Sequence, residues 1–240
     1  MTILAFDTCF SACSVAVEVP LAGGTRKLWS EFEIMETGHA EALMPMIERV
    51  MRAAGAAFAD IERIVVTNGP GTFTGVRTSV AAARAFALAT GAKVVGVSSL
   101  WPAGMLAPTN IPECIGDNDA VLVAMDARKG MVYAQVIDTD ATELTDPVLV
   151  DAAGAAALAP HHRLFAVGTA ARLVAQAGAE AGRTIAADHP RMSPQDHLPN
   201  AAYLIGLASR KACAGPLQPL YLRPPDAKPQ SGKTLPWVSS

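Results

Sequence analysis

The chain has 240 residues, of which 51% are apolar and 17% charged, with a formal net charge of −3 and a pI of about 5.9. That length fits one large domain or two small ones with a real core. Slight acidity and the lack of any block of lysine or arginine argue against strong, unaided nucleic-acid binding. Only Arg26-Lys27, Arg128-Lys129 and Arg210-Lys211 are paired basic residues that folding could gather into a patch. The surplus of apolar residues reads either as surface covered by a partner or as drift toward alanine.

In chain order, Ile3 to Thr8 reads as a buried strand ending in the polar pair Asp7-Thr8. Cys13 to Val19 and Lys27 to Ile34 complete an antiparallel meander. His39 to Ala54 reads as a helix, Ile64-Val65-Val66 as a buried strand, Thr78 to Ala89 as a strong helix former, and Lys93 to Val97 as another strand. Three strands, helix, strand, helix, strand make a mixed α/β sheet. After Pro108 to Pro112 the pattern restarts, a candidate domain boundary. Ala120 to Met125 and Met131 to Ile137 then form a hairpin, Val148 to Val150 a short strand, and Leu164 to Val167 another. Gly168-Thr169 leads into a helix ending near Ala177, and Asn200 to Ala212 is a further helix. The division expected is residues 1–108, residues 109–225, and a loose tail over 226–240 rich in proline.

Cys9, Cys13, Cys114 and Cys213 form no CxxC pair and read as small apolar residues rather than a redox or zinc site. Met1-Thr2 leads straight into a strand, so no signal peptide is expected. The uncharged stretch Val94 to Pro112 is broken by Pro102 and Pro108, so no membrane span is expected and cytoplasm is the expected location.

Asn68 to Arg77 reads Asn-Gly-Pro-Gly-Thr-Phe-Thr-Gly-Val-Arg. A strand feeding a glycine loop and then a helix start is the geometry that binds phosphate on converging backbone N–H groups. Yet neither Gly-x4-Gly-Lys-Ser/Thr nor Gly-x-Gly-x-x-Gly can be fitted. Gly69, Gly71 and Gly75, with Asp7 and Thr8, are therefore candidates for weak phosphate or nucleotide contact only.

The helix from His39 carries an excess. At about 100° per residue, its apolar residues from Ala42 to Ala54 cover an arc of about 200°, roughly twice what packing on one sheet uses. Either the helix is buried in its own protein, or it forms with the alanine-lined second helix a docking face for another subunit. His39, Leu43, Met46, Ile47, Val50, Arg77, Val80, Ala81 and Arg84 are the candidate interface residues. Pro45 is expected to kink the first helix or mark its start.

Four segments together resemble the TsaB family. They are Phe6-Asp7-Thr8 with Cys13 to Val17, His39 to Pro45, Asn68 to Arg77, and Tyr221-Leu222-Arg223-Pro224. The resemblance implies the actin-like, sugar-kinase-like ATPase fold, with two related α/β sub-domains and mixed sheets. It implies a non-catalytic subunit of the bacterial machinery that places threonylcarbamoyl on adenosine 37 of tRNA. The partners implied are a TsaD-like transferase and a TsaE-like ATPase, with tRNA reached through the complex; self-pairing of isolated chains stays open. No intrinsic cofactor is expected, with ATP or ADP at a subunit junction as the alternative.

The catalytic sibling in this resemblance holds a metal with two histidines four apart on a helix. Here Ser99 and Ala103 stand at the equivalent positions, and none of His39, His161, His162, His189 and His197 has a partner four residues away. A metal site needs several converging ligands, so no metal and no catalytic residue is assigned. His39 reads as structural or interfacial. The competing readings are a metal-independent hydrolase, which would need Ser98 or Ser99 activated by a base, a weak ATPase, and a small-molecule kinase.

Overall fold

The structure, a computed structural model, describes residues 1–105, 119–187, 192–208 and 216–223. The first unit runs β1 (Thr2–Asp7), β2 (Ala12–Pro20), β3 (Arg26–Ile34), α1 (His39–Ala54), β4 (Ile61–Thr67), α2 (Phe73–Thr90), β5 (Lys93–Val97) and α3 (Leu100–Gly104). The second runs β6 (Asp119–Asp126), β7 (Met131–Asp138), β8 (Val148–Asp151), α4 (Ala152–Ala156), β9 (Arg163–Val167), α5 (Ala171–Glu180) and β10 (Ala186–Ala187). Last comes α6 (Ala201–Leu204).

The first sheet has the order β3-β2-β1-β4-β5 and the second β10-β9-β6-β7-β8. Counted within its own half, each is third-second-first-fourth-fifth, with the first three strands antiparallel and the last two parallel to the first. A helix follows the third strand and another joins the fourth to the fifth in both halves. The chain is thus one α/β motif built twice, as the actin-like fold requires.

Central strands β1 and β4 are buried on both faces, which is why they read as unbroken apolar runs rather than alternating ones. Leu4, Phe6, Ile64 and Val66 pack toward α1 and α2. Ile3, Ala5 and Val65 pack the other way, into a core shared with Val121, Val123, Tyr133 and Phe165 of the second sheet. A separate layer under α4 and α5 covers the second sheet's outer face. The chain then returns to its first half, where the Ala201 amide donates to Ser14 Oγ at 3.0 Å.

Helix α1 begins at His39, so Pro45 lies inside it and does not mark its start. It ends in left-handed Gly55, with Gly55 N–H on the Arg52 carbonyl and Ala56 N–H on the Met51 carbonyl, each at 3.1 Å, a glycine-dependent stop. Helix α2 begins earlier than its sequence suggests. Thr72 caps it by accepting the Gly75 N–H at 3.1 Å, and Phe73, Thr74 and Gly75 are helical rather than loop. The five-residue α3 and α4 and the two-residue β10 carry no sequence signal of their own. The helix expected over Asn200 to Ala212 is described only to residue 208, as α6 and a 3-10 turn over Ile205–Leu207. The boundary at 108/109, the tail over 226–240, the Arg210-Lys211 pair, Cys114, Cys213 and His189 lie outside the described residues.

Candidate functional site

The glycine loop and the strand end Asp7-Thr8 meet as the sequence suggests, but they meet each other. A Cβ at Gly71 would stand 2.3 Å from the Cys9 carbonyl oxygen, and one at Gly75 1.9 Å from that of Thr8. Gly69, at φ +112°, would bring a Cβ to 2.4 Å from the Leu220 carbonyl oxygen. These glycines make room for this chain's own backbone. The Thr72 N–H donates to the Cys9 carbonyl at 2.8 Å and the Gly75 N–H to Thr72 Oγ1 at 3.1 Å, so these two amides are engaged as well. Thr8 Oγ1 lies 2.7 Å from both the Gly75 carbonyl and Ser79 Oγ.

Asp7 is fully buried. Its carboxyl accepts from the Thr67 hydroxyl and, at 3.2 Å, from the Cys9 N–H. Burial outweighs these bonds and pushes its pKa up to about 7. Burial, reinforced by the Asp7 charge, likewise raises the Cys9 thiol, and that of Cys13 to about 12. Neither cysteine is a thiolate near neutral pH.

Of the serines weighed as nucleophiles, Ser99 donates its hydroxyl to the Pro70 carbonyl, and Ser98 Oγ accepts the Leu100 N–H at 3.2 Å. His39 is buried and donates through Nε2 to the Phe10 carbonyl at 2.7 Å, which ties α1 to the β1–β2 turn. His197 Nδ1 accepts the Gly168 N–H at 3.1 Å. Among the described residues no three His, Cys, Asp or Glu side chains converge, and no helix is long and apolar enough to cross a membrane.

The wide arc on α1 resolves into core. Leu43, Met46, Ile47, Val50 and Met51 are buried in one core with β1, β2 and β4, and Val80 of α2 is buried too. Of the nine candidate interface residues, only Arg77, Ala81 and Arg84 are exposed. Those named from α1 are corrected by this placement: they are spent on the chain's own sheet. The outward stripe belongs mostly to α2, where Arg77, Ala81, Arg84, Ala85 and Leu88 fall on one side at helical spacing. Leu88 is 90% exposed, and α1, which touches α2, adds Met44 at 43%.

Among the described residues, a cleft of about 540 Å³ lies between the halves, lined by Phe10, Phe73, Arg77, Arg128, Tyr133 and Tyr221 among others. Residues 216–223 cross beside it as a strap. Arg84 donates to the Leu217 carbonyl, Leu220 N–H to the Asn68 carbonyl at 2.6 Å, and Arg223 to the Ala127 carbonyl at 2.9 Å. Sequence reasoning missed Phe73, Tyr133 and Arg128 as lining residues. Phe73 and Tyr221 each lie in a segment that carries the family resemblance, but only the fold brings the two together.

A model of the family described as "TsaD: tRNA N6-adenosine threonylcarbamoyltransferase" matches residues 33–212. The chain is 34% identical over 141 residues to the Escherichia coli tRNA threonylcarbamoyladenosine biosynthesis protein TsaB, a match covering 55% of this chain and about half, 53%, of that protein. It is 32% identical over 240 residues to an uncharacterised protein of Mycobacterium tuberculosis, covering 95% of this chain and 94% of the other. The solved structure of YeaZ from Pseudomonas aeruginosa superposes with a TM-score of 0.71 at 26% identity, covering 92% of this chain and 99% of that one. With its twofold α/β motif, its glycine loop closed on the β1 end and a family match over three-quarters of its length, the chain belongs to the TsaD family, on its TsaB side.

Proposed function

We propose that the chain is a supporting, non-catalytic subunit of an assembly that makes N6-threonylcarbamoyladenosine in tRNA, and that α2, with Met44 of α1, docks a TsaD-like transferase. A TsaE-like ATPase is the further partner in this reading. The observation that carries it is the α2 stripe ending in Leu88, 90% exposed. A leucine so placed leaves most of its apolar surface in water, where covering it would gain about 2 kcal/mol. Alanines at 81 and 85 let another helix approach closely. The reading gives the chain no cofactor of its own, because Asp7, Thr8 and the loop glycines are engaged in internal contacts.

The test is co-purification with the cognate TsaD-like protein, together with tRNA modification by the reconstituted assembly. Ala81→Glu and Leu88→Asp are expected to keep the melting temperature within about 2 °C, since both sites are exposed. They are expected to lose the partner and at least tenfold in modification rate. Met46→Asp, which buries an unpaired charge, is expected to unfold the chain instead. Partner binding that survives in both exposed variants, or turnover by this chain alone with tRNA and threonylcarbamoyl-adenylate, overturns the reading.

A further inference from the structure

The cleft between the halves has a composition that the docking reading does not use. On one wall Phe73 stacks on Tyr221, with ring centroids 5.7 Å apart and planes 28° apart. The Arg77 guanidinium lies 3.6 Å from the Phe73 ring centre and its Nε donates to the Tyr221 hydroxyl at 3.1 Å. This cluster of two rings and a guanidinium is held in place yet left wet: Phe73 is 53% exposed and Tyr221 46%. Across the cleft stand Phe10 and Tyr133, packed edge to face at 6.3 Å.

The charge around these rings is mainly positive. Arg77, Arg128 and Arg223 line the cleft against a single carboxylate, Asp126, in a chain whose net charge is −3. The exposed Asp126 carboxylate accepts the Arg128 N–H at 2.8 Å. Arg128 and Lys129 both hold positive φ, 64° and 56°, ahead of Gly130. Two non-glycine residues in the left-handed region in succession cost about 1–2 kcal/mol each. The turn bears that cost while setting the Arg128 guanidinium, exposed and without a partner among the described residues, at the cleft mouth. Planar rings beside fixed cations are what an unstacked nucleobase and its phosphate require.

The geometry points to this cleft as a site for an unpaired nucleotide of RNA, its base on the Phe73–Tyr221 ledge and its phosphate on Arg128. The inference rests on the reading that the chain serves a tRNA-modifying assembly. One or two phosphate contacts make it a weak site in the isolated chain, with a log–log salt slope of about −1. It adds to binding only when partners hold the rest of the RNA.

The experiment uses the full chain assembled with its partners and an anticodon stem-loop RNA carrying 4-thiouridine in its loop. The mixture is irradiated and the crosslinked peptides are identified by mass spectrometry. Crosslinks to peptides containing Phe73, Tyr133 or Tyr221 are expected. They should fall at least tenfold in Arg128→Glu and in Tyr221→Ala, and AMP equimolar with the RNA should not compete, because it lacks the contacts the partners make to the rest of the RNA. An assembly that modifies tRNA yet gives no crosslink in the cleft overturns the inference and leaves the functional reading intact. Displacement of the RNA by equimolar AMP also overturns it, because the cleft is then a mononucleotide site. Cleft crosslinks in a mixture that does not modify tRNA uphold the site and count against the functional reading.

Discussion

Asp7 ends β1 with its carboxyl enclosed between the Thr67 hydroxyl and the Cys9 amide. In the unfolded chain it titrates near pH 3.8, in the fold near 7. Between those values the folded state holds a proton that the unfolded state has lost, so stability falls as pH rises. The stabilising contribution is complete below pH 3.8 and gone above pH 7. The slope is about 1.4 kcal/mol per pH unit, so that about 4 kcal/mol is lost across the window. Asp7→Asn removes the titration. It is expected to flatten the dependence of folding free energy on pH from 4.5 to 7.5, measured by urea unfolding, and to be the more stable protein at the upper end. Parallel pH profiles for the two proteins would show that Asp7 is ionised throughout.

At the scale of elements, α2 owes its position to a residue its own propensity disfavours. Glycine inside a helix costs about 1 kcal/mol relative to alanine, so Gly75→Ala would stabilise α2 in isolation. The Cβ would, however, stand 1.9 Å from the Thr8 carbonyl oxygen, a backbone atom at the end of a buried strand. Separating helix and strand also strains the bonds from Thr8 Oγ1 to the Gly75 carbonyl and Ser79. Overpacking of this kind costs about 1–3 kcal/mol and more against rigid backbone, so the net expectation is a loss of about 2 kcal/mol in thermal or urea unfolding. Unchanged or raised stability would show that the strand end yields. The same region marks what the sequence made legible. Long periodic α1 and the doubly buried strands were readable because a repeated pattern records a repeated environment. The start of α2 was not, because Gly75 there answers to Thr8, sixty-seven residues away in sequence. The wide apolar arc on α1 was legible as an excess, but only the fold assigns it to β1, β2 and β4. The candidate cleft was hardly legible at all, since it depends on Tyr221 returning to Phe73 and on a turn of the second half facing the first.

Over the whole molecule, the strap of residues 216–223 reaches both halves. Its near end is held by Arg84, which donates twice to the Leu217 carbonyl, and by Asn68, which donates to the Gln218 carbonyl at 2.9 Å and accepts from Leu220. Its far end is Arg223, bonded to the Ala127 carbonyl in the turn between β6 and β7. The halves already share a core, so the strap need not hold them together. Its effect falls on the cleft mouth, where loop 68–72, strap and turn 126–130 meet. Replacing Arg84 and Arg223 together by alanine loosens both ends, with Asn68 still on Gln218 and Leu220, while leaving Leu217 and Tyr221 in place. Net contributions of about 0.5–1.5 kcal/mol per bond put the total loss at about 2 kcal/mol. The two sites share no side-chain partner, so the single variants should add up to the double. Global unfolding reports that loss, but amide hydrogen exchange locates it. Exchange in loop 68–72 and in turn 126–130 is expected to quicken in the double variant, while the central strands β1 and β6 change only by the global loss. In Arg84→Ala alone the loop should respond and the turn should not. A turn that exchanges at its original rate in the double variant would mean that the strap closes the first half only, and that the cleft mouth is set by the shared core.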